Sequence, residues 1–89
     1  MTSTNRTEQE RVPRRTAQEQ LADWLRCSRT CRSIALRYTI EAKQYEASGN
    51  RRLYLECNLE ARNYWRRAWD YFSHARLCHR TVRSIANAA

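Results

Sequence analysis

The sequence predicts an all-α fold: an antiparallel two-helix hairpin with an alanine-coil-like seam, two copies pairing into a four-helix bundle. Three observations predict it. The 89 residues include one glycine and one proline, too few turn-formers for a β-fold with many reversals. One strong break, "ASGNRR" at 47–52, divides the chain. On both sides of it, small and apolar residues recur at steps of three and four, the mark of a sustained heptad seam. A composition of 42% hydrophobic and 29% charged residues is that of a globular chain and not of a disordered one. At this length a domain buries a modest share of its surface and commonly leans on oligomerisation or a partner.

The elements follow in order. Residues 1–15, ending in "RVPRR", lack hydrophobic periodicity and read as a flexible basic arm. "TAQE" at 16–19 reads as a capping box, Thr16 with Glu19, opening the hairpin of residues 16–89. The first helix is expected over 16–48. Gly49 suits a helix C-terminus and Asn50 the next N-cap, with the turn over 49–52 and a second helix over 51–87. The first seam runs through Ala17, Leu21, Trp24, Ser28, Cys31, Ala35, Tyr38, Ala42 and Tyr45. The second runs through Cys57, Ala61, Tyr64, Ala68, Tyr71, Ala75, Cys78, Val82 and Ile85. Folding back at Gly49–Leu53 sets Ala42 opposite Ala61, Ala35 opposite Ala68 and Ser28 opposite Ala75. Tyr38 then meets Tyr64, and Trp24 meets Cys78. Small layers a heptad apart favour a close approach of the two backbones.

Trp65, Trp69 and Phe72 fall off that seam, one position round the second helix. Leu25 and Leu36 of the first helix project toward the same flank. Two helices alone leave nothing to cover them, and an apolar patch of this kind marks an interface. Self-association into a homodimer is one way to cover it, docking of a protein or nucleoprotein partner a second, and a packing element formed by the N-terminal arm a third. Tryptophan, tyrosine and arginine are the residues most enriched at binding hot spots.

The charge is +8, and 16 of the 17 basic residues are arginines. Such a balance favours an anionic partner. Arg62, Arg66, Arg76, Arg80 and Arg83 form a basic stripe on the outer side of the second helix, with Trp69 among them. Arginine beside aromatic rings suits phosphates and stacked bases, so nucleic-acid binding is an alternative function. Asp70 and Glu56 interrupt the stripe, and no helix-turn-helix or finger pattern accompanies it.

Cys27 and Cys31, and likewise His74 and Cys78, stand four apart and share one helix face each. In the expected register all four project to one side, a donor set that suits tetrahedral zinc. A zinc-stabilised hairpin is therefore a further alternative. The plain reading of Cys31, Cys57 and Cys78 is packing, and no cofactor is otherwise implied. Enzymatic chemistry has little to stand on. There is no glycine-rich phosphate loop, and Glu41 with Glu60, or Cys27 beside His74, would need a cleft that a convex hairpin lacks.

The polar N-terminus carries no signal peptide, and no apolar run is long enough to span a membrane. Four cysteines without an export signal point to a reducing, cytoplasmic setting with free thiols. The reading reached is a non-catalytic helical binding protein that regulates or inhibits a larger protein or nucleoprotein. A short, single-purpose chain of this kind fits a phage or mobile-element protein.

Overall fold

The computed structural model describes residues 16–88, and the expected basic arm lies outside them. Two helices, α1 (Ala17–Ala47) and α2 (Arg51–Ala88), pack along their length as a hairpin, with no strand among the described residues. At 1.5 Å per residue they run about 46 and about 57 Å. No described helix is long and apolar enough to cross a membrane.

Local chemistry sets each end. Thr16 is extended, and its Oγ1 accepts the Glu19 amide at 3.1 Å, which satisfies one of the amides a helix start leaves unpaired. At the other end α1 closes in a Schellman motif. The Gly49 amide donates to the Glu46 carbonyl and the Asn50 amide to the Tyr45 carbonyl, at 3.1 and 2.9 Å. Gly49 takes φ 77°, the left-handed conformation this motif demands. Asn50 then caps α2, its Oδ1 accepting the Leu53 amide at 3.2 Å. Three residues therefore reverse the chain, with no slack.

The buried core is small: Cys31, Ala35, Ala42, Cys57, Ala61, Ala68 and Ala75. Each of these lies on an expected seam. Among the described residues no large side chain is fully buried. A methyl-sized group removed from water contributes about 0.8 kcal/mol, so the alanines set the spacing while half-buried rings supply much of the contact. Tyr38 stacks on Tyr64 with centroids 5.8 Å apart, as expected. Ser28 Oγ donates to the Ala68 carbonyl at 2.9 Å, a hydrogen bond across the seam that requires the backbones to run close.

The register differs from the expected one toward the open end of the hairpin. Trp24 stacks on Tyr71 and His74, with centroids 5.7 and 4.7 Å apart, and not on Cys78. Ser28 meets Ala68 and not Ala75, so Ala68 receives a residue one heptad from the Ala35 expected opposite it. The expected pairing centred the reversal beyond Gly49, whereas the Schellman closure and the Asn50 cap centre it on Gly49 itself. Glu41 and Cys57 are equidistant from that glycine, and Cys57 Sγ lies 4.0 Å from Glu41 Oε2.

Candidate interaction groove

Along one flank the two helices enclose an open groove with two lobes. The first is lined by Ser28, Arg32, Trp65, Ala68, Trp69 and Phe72. Leu21, Leu25, Phe72, Ala75, Arg76, His79, Arg80 and Arg83 line the second, toward the open end. Phe72 belongs to both and stands where the two lobes adjoin. The seam explains the shape. Ala68 and Ala75, both buried, lie at the base of the groove, where the helices approach closely. Trp65, Trp69 and Phe72 stand on the α2 wall and Leu21 and Leu25 on the α1 wall.

Trp69 is 66% exposed and Phe72 40%. Their rings meet edge to face, centroids 6.1 Å apart, which holds both over the valley and adds a modest attraction. Of the five flank residues expected from sequence, Leu25, Trp65, Trp69 and Phe72 line the groove. Leu36 is exposed but lines neither lobe. Leu21, read as a seam residue, stands in the wall instead. Its phase lies between seam and flank, and at the start of α1 the ring of Trp24 takes the place against α2.

The expected basic stripe divides. Arg76, Arg80 and Arg83 rim the second lobe and Arg32 the first. Arg62 and Arg66 are exposed and line neither. The ion pairs among the described residues, Arg26 with Asp23 at 3.5 Å and Arg52 with Glu56 at 3.3 Å, lie elsewhere. Among the described residues no carboxylate lines either lobe.

The cysteine and histidine set is dispersed. Cys27 is exposed, Cys31 buried and Cys78 half-buried, and the His74 ring lies against Trp24. With the reversal centred on Gly49, Cys78 falls a turn beyond His74 and Trp24. The described residues include no group of three or more His, Cys, Asp or Glu placed to hold a metal ion. On the same flank the guanidinium of Arg67 sits over the Tyr64 ring at 5.0 Å. Near the turn, burial first, and then the charges of Glu41, Glu56 and Glu60, push the Cys57 thiol above its ordinary value. A thiol so placed is a packing group, disfavoured as a thiolate nucleophile.

Comparison with protein families, curated proteins and solved structures gives no match.

Proposed function

We propose that this chain is a non-catalytic binding protein that regulates or inhibits a larger protein or nucleoprotein by docking it along the groove. The observation that carries the reading is the exposure of Trp69 and Phe72 beside two adjoining lobes of a groove with apolar walls. A monomer gains nothing by holding two large rings in water, whereas an interface gains most from such rings at its centre and arginines at its rim. The expected four-helix bundle of two copies would use the same flank, so the two arrangements compete for it.

The test is affinity capture with the tagged full chain and with Trp69→Glu, each with and without nuclease, followed by reconstitution of any captured protein. A partner held in defined stoichiometry by the unmodified chain and lost with Trp69→Glu supports the reading. Capture that survives Trp69→Glu, or capture of nucleic acid with no protein in defined stoichiometry, overturns it.

A further inference from the structure

We infer that the occupant of the groove is an acidic amphipathic helix of a partner protein, laid along the valley as a third helix. The inference rests on the docking reading above and names the chemistry of the partner. The walls are apolar, while among the described residues every charged one lining the groove is an arginine: Arg32, Arg76, Arg80 and Arg83. None of the four is in an ion pair within the described residues. A row of guanidiniums beside an apolar valley matches a helix with an apolar stripe and carboxylates on its edges. Arginine binds carboxylate through two parallel hydrogen bonds.

Length and shape agree with a helix. From Trp65 to Arg83 the groove follows about 27 Å of α2, the length of roughly 18 helical residues. Its walls are two straight antiparallel helices, and a third helix can set side chains at i, i+3, i+4 and i+7 into the valley. The aliphatic side chains of Leu21 and Leu25, half-buried in the free hairpin, gain from such a stripe. A phosphodiester backbone offers them nothing.

Other occupants fit less well. A second copy pairing through a two-fold axis presents the same patch to itself, and the same four arginines would face one another. Residues 1–15 carry Arg6, Arg11, Arg14 and Arg15 against Glu8 and Glu10. That segment has the sign of the rim and almost no apolar content.

The experiment is fluorescence anisotropy of labelled probes with the full chain at about 150 mM salt, where long-range attraction is largely screened. One probe is a peptide of about 18 residues with leucines on one helical stripe and glutamates flanking it. The others are its shuffled isomer, its Gln-for-Glu version and an oligothymidylate of about 20 nucleotides. The stripe peptide is expected to bind in the micromolar range, the other three about tenfold or more weaker. Trp69→Ala and the pair Arg76→Glu with Arg80→Glu are each expected to weaken it by about tenfold or more. Equal binding of the shuffled peptide or the oligothymidylate means plain polyanion attraction and overturns the inference. Equal binding of the Gln-for-Glu peptide overturns the acidic partner and leaves groove docking standing. Failure of both striped peptides overturns the inference. If light scattering then shows a dimer that Trp69→Glu dissociates, a second copy covers the flank and the docking reading falls too.

Discussion

Trp24 and His74 stack with ring centroids 4.7 Å apart, and they lie equidistant from Gly49 along the chain. The same symmetry relates Glu41 to Cys57. The reversal at Gly49 therefore decides which residues meet far from it. It also decides where the buried alanines lie at the base of the groove and which arginines stand beside it.

The reversal is accordingly a sensitive point. Gly49 holds φ 77°, and a methyl group added there meets nothing within 4 Å. The cost of Gly49→Ala is thus conformational alone, on the order of 1–2 kcal/mol. Gly49→Asn should cost less, because asparagine visits this conformation more readily. Thermal unfolding followed by circular dichroism should rank the unmodified chain first, then the asparagine variant, then the alanine variant. An alanine variant as stable as the parent would show that the Schellman closure is not what ends α1.

The close approach at Ser28 and Ala68 gives a second expectation. Ala68 is buried, and its carbonyl takes the Ser28 hydroxyl at 2.9 Å. Ala68→Leu forces extra carbons into that gap at about 1–3 kcal/mol, which for a chain of this size lowers Tm by roughly 4–8 °C per kcal/mol. Ala86→Leu, on an exposed position of the same helix, should change Tm little. If the two variants melt alike, the helices do not approach closely at Ala68.

The fold was legible because the seam is written in residue size. Every buried residue belongs to one of the two series of small side chains spaced by three and four, and a close contact between two helices is what such a series suits. Trp65, Trp69 and Phe72 were legible for the converse reason, being large and out of phase. Register was not legible. Alanines repeating each heptad look the same after a slide of one turn, so Ala68 suited Ala35 as well as Ser28. Only the hydrogen bonds of the turn separate these choices, and residue types at 47–52 suggest a reversal without fixing its centre. The zinc set depended on that register, because only the register can bring Cys27 and Cys31 beside His74 and Cys78. The groove's rim was half legible. Arg76, Arg80 and Arg83 belong to the stripe, but which arginines border the valley depends on the same reversal.

Cys57 carries a pH dependence whose sign follows from its surroundings. Burial and the neighbouring carboxylates hold its thiol above the ordinary value, so the folded chain favours the protonated form more than the unfolded chain does. The stability that the thiol contributes is fully present below the unfolded value, about pH 8.5, and is lost as pH rises through the raised folded value. Urea unfolding midpoints of the unmodified chain and of Cys57→Ala should therefore converge or cross as pH rises past that window. The tyrosines and arginines are common to both and cancel. A midpoint difference that stays constant with pH would mean that the thiol is not shifted. In the same samples at neutral pH, an alkylating reagent should modify exposed Cys27 before Cys57.

The two kinds of tryptophan should part company when each is removed. Trp24 packs between the helices on Tyr71 and His74, and stacked aromatic pairs add about 0.5–1.5 kcal/mol beyond the area they bury. Trp69 touches Phe72 at an edge and is 66% exposed. Trp24→Ala should therefore lower Tm by many degrees, because its loss opens the seam at the end where α1 begins. Trp69→Ala should leave Tm and helical circular dichroism close to the parent, since little is buried that its removal would expose. For binding the order reverses. An exposed ring over an apolar valley gains its contacts only when a partner arrives, and truncation of such an anchor costs about 2 kcal/mol or more of affinity. Measured side by side on one preparation, the pair separates what holds the hairpin together from what the hairpin holds. Equal losses of stability for the two variants would place Trp69 in the core and remove the groove.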